Sequence, residues 1–396
     1  MNNQKLLVVN SGSSSIKIQL FNKQDLSVIA SGLAERITSP DGQIEIKFNG
    51  EKFTRINVMP NHKVAVEELL DFMEEINLVN NPQEIEIIGF RVVHGGTYFK
   101  HSTILDNEAI NLIDKCSIYA PLHNPGALQA INAFKEVMPH AKLSATFDTT
   151  FHTTIPDLNA IYPIPYEWTK EYGIRRYGAH GISHNYITLK LAEILNKEKV
   201  NLISMHIGSG ASIAAVENSQ SIDTSMGLTP LAGIMMGTRS GDIDPSIIEF
   251  VSRQTGMDVF EITNILNKKS GLLGVSQLSN DTRDIDKAIH EGNQQAQFAF
   301  DLYVQKIVDY VANYANKVPN LDALVFTAGV GENSPELRSA VVNKLKFANI
   351  KLDEDKNKER VGQFALISAP DSEIKVYVIR TNEELLIAQN ALELFN

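Results

Sequence analysis

The chain has 396 residues, 43% of them apolar and 21% charged, which is enough for two to three globular domains at about 150 residues each. A formal net charge of −11 excludes partners that demand a basic surface, such as nucleic acid or an anionic membrane, and leaves an anionic substrate to a few local cations. The lone cysteine, Cys116, excludes an intramolecular disulfide, no apolar run approaches the ~20 residues of a membrane helix, and Met1 to Lys5 lack the layout of a secretion signal, so a soluble cytoplasmic protein is expected.

Leu6-Leu7-Val8-Val9 reads as a buried strand, residues 10–15 turn it, and residues 16–21 alternate as a half-buried strand does. Gln43–Phe48 is a further strand after the turn Pro40-Asp41-Gly42. Val66, Leu69, Leu70 and Met73 give residues 64–76 helical spacing. Residues 85–93 are nearly all apolar, the pattern of a strand covered on both faces, and they run into His94-Gly95-Gly96. Residues 118–125 read as a loop carrying His123, residues 126–137 as a helix, and residues 143–147 as a short strand followed at once by Asp148. The proline-rich residues 155–165 read as a connection and place a domain boundary near residue 150.

The second half opens with residues 175–184, rich in arginine, glycine and histidine, and a helix with Ile187, Leu191, Ile194 and Leu195 on one face. Strand residues 202–205 lead through His206 into the small-residue turn Gly208-Ser209-Gly210-Ala211-Ser212 and a second strand, residues 213–216. Such a tip lets backbone N–H groups approach an anion, and its small residues permit the φ > 0 expected there. Aligning Ile16 with Ile213 lays Gly12-Ser13-Ser14-Ser15 over Ser209-Gly210-Ala211-Ser212, so the strand–turn–strand unit recurs about half a chain apart. The recurrence suggests a duplicated domain with both tips facing one cleft. Gly237 to Asp242 set Arg239 and an acid in a glycine-bracketed loop. Helices follow over 245–253, 258–266 and 294–315, then the strand Ala323–Thr327. Residues 328–333 read as a tight glycine turn, with Ser334 and Pro335 starting the next helix. A strand over 376–380 and a helix beginning at Thr381-Asn382-Glu383-Glu384 complete the pattern.

Arg91, Asp148, His206 and Glu383 fall just past predicted strands, where α/β proteins keep their sites, while His123, His180 and Arg239 lie in Gly- or Pro-bracketed loops. Each has a structural alternative: an ion pair for Arg91, a helix cap for Asp148, a core histidine at 206, a favourable helix N-terminus for Glu383 and Glu384. His180 and His184 have metal-ligand spacing but lack the H-E-x-x-H glutamate. Taken together, arginines, histidines and isolated acids beside three glycine turns fit phosphoryl transfer to an oxyanion. That reaction needs Mg²⁺ on hard oxygen donors and cations at the transferring group. A carboxylate acceptor also needs an arginine, and it needs no strong base because it is already ionised at neutral pH.

Ten pieces of the chain, in order, carry a family resemblance. They are residues 9–17 (VNSGSSSIK), 91–96 (RVVHGG), 121–125 (PLHNP), 147–152 (FDTTFH), Tyr177-Gly178, His180-Gly181, Ser183-His184, 236–242 (MGTRSGD), 327–333 (TAGVGEN) and 381–384 (TNEE). On these the chain resembles the acetate kinases, of the superfamily shared with sugar kinases, heat-shock chaperones and actin, over nearly its whole length. The resemblance implies an α/β fold of two duplicated actin-like, ribonuclease H-like domains around an interdomain cleft. The domains would be residues 1–150, joined by a C-terminal helix 385–396, and residues 151–384, the nucleotide-binding half. It implies reversible, in-line phosphorylation of acetate by ATP with Mg²⁺, or Mn²⁺ in its place, in a homodimer.

By position, the resemblance assigns Mg²⁺ to Asn10 and Glu383, and catalysis to Asp148, Arg91, Arg239, His180 and His123. Ser13, Ser15 and Lys17 would line the first phosphate hairpin. His206, Gly208, Ser209 and Gly210 would line the second. Asp281, Thr282 and Arg283 would meet the adenosine, together with Gly329, Val330, Gly331, Glu332 and Asn333. Val93, Leu122 and Pro230 would wall the acetate methyl, with Ala179 beside them. The family usually has Phe at 179 and Asn at 209. Ala179 is therefore expected to leave room for a longer acid such as propionate, unless another side chain fills the gap, and Ser209 to weaken nucleotide binding modestly. From a different class, an ATP-driven interaction protein of the chaperone or filament type would lack the paired Arg91 and Arg239, and a peptide-binding domain after Glu383 is not expected here.

Overall fold

The computed structural model describes residues 4–396; the expectation that the N-terminus carries no targeting signal falls partly on residues 1–3, outside that range. The chain forms two compact units. One runs through Thr150 and resumes at Asn382–Asn396, and the other spans Phe151–Thr381. Glu383 and Glu384 thus fall in the first unit, whereas the sequence boundary placed them in the second. The reason is local: Asn382 caps the helix Glu383–Phe395, accepting from the Leu385 N–H, and the whole helix packs with the first unit.

The first unit is built on an eight-stranded sheet. Its strands are β1 (Lys5–Ser11), β2 (Ser15–Asn22), β3 (Val28–Glu35), β4 (Gln43–Phe48), β5 (Glu51–Ile56), β6 (Ile85–Val92), β7 (Thr103–Ile104) and β8 (Lys142–Phe147), in the order β5-β4-β3-β2-β1-β6-β8-β7. Strands β1 to β5 form an antiparallel meander, while β1, β6 and β8 are parallel. Alternation along β1 and β6 sends Leu7, Val9, Ile88, Phe90 and Val92 to one face, where they pack with Val66, Leu69, Ile131 and Phe134 of the helices His62–Glu75 and Asn124–Val137. The opposite face receives the helix Glu383–Phe395. A Cβ at Gly89 would lie 2.9 Å from Ile387 Cγ2, so this helix lies tight against β6. Arg91, two residues after Gly89, projects to that same face.

The second unit repeats the plan with six strands. These are β9 (Leu202–Ile207), β10 (Ala211–Glu217), β11 (Gln220–Thr224), β12 (Ala323–Thr327), β13 (Phe364–Leu366) and β14 (Lys375–Ile379), ordered β11-β10-β9-β12-β14-β13. The series β3-β2-β1-β6-β8 and β11-β10-β9-β12-β14 are equivalent: three antiparallel strands, then two parallel additions. This is the expected α/β architecture of two duplicated, actin-like units. Ile203, Met205, Leu324 and Phe326 pack beneath the long helix Gln294–Lys317, and Leu202, Ala323 and Val325 pack with Ile187 and Leu191 of the helix Gly181–Leu195. Among the described residues no helix is long and apolar enough to cross a membrane.

The two hairpin tips differ from the sequence alignment. The first leaves residues 12–15 between the pair Ser11↔Ile16, and the second leaves only 208–210 between Ile207↔Ala211, so the tips do not superimpose residue for residue. Nor does Gly12, Gly208 or Gly210 take positive φ, as had been expected. Glycine at these tips provides space for close approach instead. Residues 328–333, expected as a tight turn, form a short helix, Ala328–Asn333, entered through Ala328 at φ 65°. Ser334 caps the next helix, Pro335–Lys344, as anticipated. The loop expected through Pro125 ends earlier, since Asn124 already begins its helix.

Candidate functional site

In the first unit the sheet gathers charge at the carboxyl ends of β1, β6 and β8. Asp148, buried to 1% exposure, follows β8 with its N–H bonded to Val92 O at 3.0 Å. Arg91 grips it with two parallel hydrogen bonds, Nε to Oδ1 at 3.1 Å and Nη2 to Oδ2 at 2.6 Å. Arg91 Nε also lies 3.8 Å from Glu383 Oε2. Glu384 accepts from Lys17, which pairs across β1 and β2 with Asn10. Burial opposes the charge of Arg91, but Asp148 and Glu383 outweigh it and raise its pKa above the ordinary value. Glu384 is likewise penalised by burial, yet the Lys17 ammonium holds it below the usual carboxylate range.

Glu383 is the exception in this cluster. Burial, reinforced by the negative charge of Asp148 and Glu384 and only partly countered by Arg91, pushes it up to about 7. Three carboxylates face two cations, and the deficit is concentrated on Glu383. A divalent cation would remove that deficit, and Asn10 and Glu383 present hard oxygen donors of the type Mg²⁺ prefers. Among the described residues no three His, Cys, Asp or Glu side chains are arranged as metal ligands. A cation here would therefore complete its shell with water and phosphate oxygens, as Mg²⁺ commonly does.

The surrounding motifs serve as scaffolding. Asn124 ties down the chain after Arg91, donating to His94 O at 2.9 Å and accepting from His94 N at 3.1 Å, and Thr149 Oγ1 accepts from Gly95 N at 3.0 Å. The first hairpin tip is held from two sides. His62 Nε2 donates to Gly12 O at 2.9 Å, and a Cβ at Gly126 would stand 2.7 Å from Gly12 C and 2.9 Å from Ser13 N. The carbonyls of Gly12, Ser14 and Ser15 are occupied, Ser14 O accepting from Ile37 N and Ser15 O from Gly12 N, while no described residue accepts from the N–H of Ser13 or Ser14. Ser15 begins β2 just beyond them. His123 occupies the N-cap position of its helix without a side-chain capping bond. Of the expected methyl-pocket residues in this unit, Val93 is half-buried and Leu122 is exposed.

In the second unit, alternation along β9 and β10 turns Ser204, His206 and Ser212 toward the helix Gly181–Leu195, and the histidines of that helix meet them. His180, at φ 56° just before the helix, has Nδ1 2.9 Å from Ser212 Oγ, and its ring stacks on His206 with centroids 4.1 Å apart. His206 Nδ1 lies 2.8 Å from Ser183 Oγ. Both ring nitrogens of His184 bond serines, which leaves it no lone pair for the metal suggested by its spacing from His180. His152 Nε2 donates to Ala179 O at 3.1 Å, fixing the peptide beside His180, and burial holds this ring down at about 4. Ala179 itself is packed, at 3% exposure, in the apolar cluster with Met226 and Met236.

Arg239 lies over the second hairpin tip. A Cβ at Gly210 would be 3.4 Å from its Nη1 and 3.5 Å from His180 Nε2, so glycine leaves a cradle that these two groups enclose. Arg239 Nη1 bonds Pro230 O at 3.2 Å and approaches Met236 Sδ at 3.7 Å. Its Nε and Nη2 have no partner among the described residues, and no described carboxylate pairs with it. Burial lowers its pKa. Asp242 is spoken for elsewhere, accepting from Gly233 N and Tyr310.

Next to the tip is a cleft of about 440 Å³. Its lining includes the predicted Gly208, Ser209, Asp281, Thr282 and Arg283, and also Gly329, Val330 and Asn333. Gly210, His206, Gly331 and Glu332 are not in that lining. Glu332 instead accepts from Ala328 N at 2.9 Å and Thr381 N at 3.1 Å, closing the strand–helix junction. Asp281 caps the helix Thr282–His290, and the Arg283 guanidinium bonded to it holds it down at about 2. Leu272, Asn280 and Tyr303 also line the cleft and were not singled out in the sequence. Asn280 adjoins Asp281, already a candidate, and was within reach of sequence reasoning; Leu272 and Tyr303 read as ordinary core.

The acetokinase family model matches residues 5–389. The chain is 56% identical over 391 residues to the acetate kinase of Mycoplasmopsis pulmonis, covering 98% of this chain and 99% of that one. Its fold matches the crystal structure of Porphyromonas gingivalis acetate kinase with TM-score 0.95 at 39% identity, covering 99% of this chain and 100% of the other. A propionate kinase from Francisella tularensis matches with TM-score 0.93 at 41% identity and the same coverage.

Proposed function

The chain belongs to the acetokinase family and is a kinase of that class, and from that premise we propose that it transfers the γ-phosphoryl group of ATP directly to the carboxylate of acetate, reversibly and in line. The observation that carries this reading is Arg239, a half-buried guanidinium with Nε and Nη2 uncommitted and no carboxylate partner beside a glycine cradle. Such a group is built for an anion that arrives from outside the chain.

The roles follow from what each group has left to offer. Arg239 presents its Nε/Nη2 edge to the anion, a fork that fits two oxygens at once. Arg91 has committed its Nε proton and one Nη2 proton to Asp148, so it orients that carboxylate and offers the edge of Nη1 and the second Nη2 proton to the acid. His180 donates to the equatorial oxygens of the transferring group, with His206 and His123 in support. The phosphates are received by the tip amides with Ser13, Ser15 and Lys17 on one hairpin and Gly208, Ser209 and Gly210 on the other. The adenosine takes the cleft of Asp281, Thr282, Arg283, Gly329, Val330 and Asn333, adjoined by Gly331 and Glu332. Asn10 and Glu383 would hold Mg²⁺, which would supply charge neutralisation at the phosphate oxygens. No general base is required, because the acceptor is already a carboxylate. Val93, Leu122 and Pro230 bound the methyl group.

Support for acetate over longer acids comes from Ala179, whose methyl is covered within its unit and packed in the cluster with Met226 and Met236. The comparable identity to a propionate kinase motivates the competing reading. A homodimer is proposed as the working form, supported by the exposed Tyr166, Trp168 and Tyr172 along one short helix. The test is acetyl phosphate formation from ATP with acetate, propionate and butyrate. Acetate is expected to give the highest kcat/KM, and Arg239→Ala to lose about 10³-fold or more in kcat. Near-normal turnover by Arg239→Ala, or a clear preference for butyrate, would overturn the assignment.

A further inference from the structure

Behind His180 three side chains stand in single file. Ser204 Oγ is 2.8 Å from His184 Nδ1, His184 Nε2 is 2.8 Å from Ser212 Oγ, and Ser212 Oγ is 2.9 Å from His180 Nδ1. Ser204, His184 and Ser212 are all at 0% exposure, so no bulk solvent completes their hydrogen bonding. Burial first, then the neighbouring rings of His152 and His206, keeps His184 neutral with a single ring proton.

Proton bookkeeping along this file leaves two arrangements that each run in a single direction; a third, in which Ser212 accepts from both rings, strands its own hydroxyl proton, because those rings are its only hydrogen-bond partners among the described residues. In one, Ser204 donates to His184 Nδ1, His184 Nε2–H donates to Ser212, and Ser212 donates to His180 Nδ1. Every proton is then used, and His180 carries its own proton on Nε2. In the other, His180 Nδ1–H donates to Ser212, Ser212 donates to His184 Nε2, and His184 Nδ1–H donates to Ser204. The Ser204 hydroxyl proton then has nowhere to go, because His184 is the only side-chain or backbone partner of Ser204 Oγ among the described residues. A buried hydroxyl proton without an acceptor lowers the population of that arrangement on the order of 10–100-fold.

We infer that Ser204, His184 and Ser212 are positioning residues that fix His180 in the Nε2–H tautomer, making its outward nitrogen a hydrogen-bond donor beside Arg239. The outward direction is marked by the glycine cradle at residue 210, which His180 Nε2 and Arg239 Nη1 enclose. The opposite tautomer would present a lone pair to a phosphoryl oxygen, and two acceptors repel. The inference rests on the proposal that His180 meets the phosphoryl group only for its effect on rate. The hydrogen-bond direction stands on the file itself.

Nitrogen-15 NMR of the full chain at about pH 8, where an unperturbed imidazole is neutral, separates the two tautomers directly. The His180 signal is identified by its loss in His180→Asn. A single Nε2–H tautomer is expected, and an Nδ1–H or averaged signal overturns the inference. Ser212→Ala is then expected to average the His180 signal and lower kcat about 10²-fold with KM little changed, the scale of one lost oxyanion donor, with Ser212→Thr restoring both. A Ser212→Ala protein with one Nε2–H tautomer and normal kcat overturns the positioning role. An averaged signal with normal kcat instead removes His180 from the transfer step and leaves the hydrogen-bond direction supported.

Discussion

Glu383 offers a quantitative test because its environment opposes its own charge. Its pKa is displaced from the ordinary 4.5 to about 7. At 1.36 kcal/mol per pH unit, that displacement corresponds to about 3 kcal/mol of linkage. The sign follows from proton counts: between pH 4.5 and about 7 the folded state holds a proton that the unfolded state has released. The stabilisation is therefore fully present below pH 4.5 and is lost as pH rises through about 7. Glu383→Gln removes the titration while keeping the shape. Urea unfolding of both proteins from pH 4 to 8.5 isolates the term as a difference. Wild type should lose about 3 kcal/mol relative to Glu383→Gln across the window, most of it between about pH 5 and 7. A difference that stays flat with pH would show that Glu383 is ordinarily ionised, and the case for a cation-deficient cluster around Arg91 would go with it.

Two further outcomes follow from the same geometry. If Mg²⁺ seats on Glu383, binding of Mg²⁺·ADP near pH 6.5 should release part of a proton, seen as heats that differ between buffers of different ionisation enthalpy, whereas buffer-independent heats would separate Glu383 from the metal. Gly126→Ala should destabilise the chain by roughly 1–3 kcal/mol and raise KM for ATP, because its methyl would press on the backbone of Gly12 and Ser13. An unchanged KM would show that the first hairpin tip does not receive phosphate.

Much of the frame was legible because burial writes itself into composition. Strand β6 is apolar on both faces because helices cover both, and the run of residues 85–92 says so. By contrast, the residues that β3 buries fully are only Ala30, Gly32 and Ala34, too small a signal to read as a strand. Its glycine is explained only by the structure, where a Cβ at Gly32 would sit 3.0 Å from Ile18 Cγ1. The helix Thr282–His290 was missed for the opposite reason, since it buries only Ile285 and Ala288 and shows charge elsewhere.

The site was legible as types and positions, not as partnerships. Arg91 and Asp148 were each singled out, but their bidentate pairing joins residues 57 apart and depends on β6 lying beside β8. The file behind His180 likewise joins the helix Gly181–Leu195 to β9 and β10, through Ser204 and Ser212, which carried no site signal, and His184, whose spacing pointed to a metal and not to serines. The duplicated hairpin was visible in outline, while its unequal tips required the strand register.

In the proposed mechanism the phosphoryl group passes directly between ATP and the acid, with arginine, histidine and metal charge in place of a covalent intermediate. The configuration at phosphorus, read after transfer from ATP made chiral at its γ-phosphorus with oxygen isotopes, tests this most directly. Inversion is the predicted result. Retention would mean two successive transfers through a phosphorylated side chain and would contradict it.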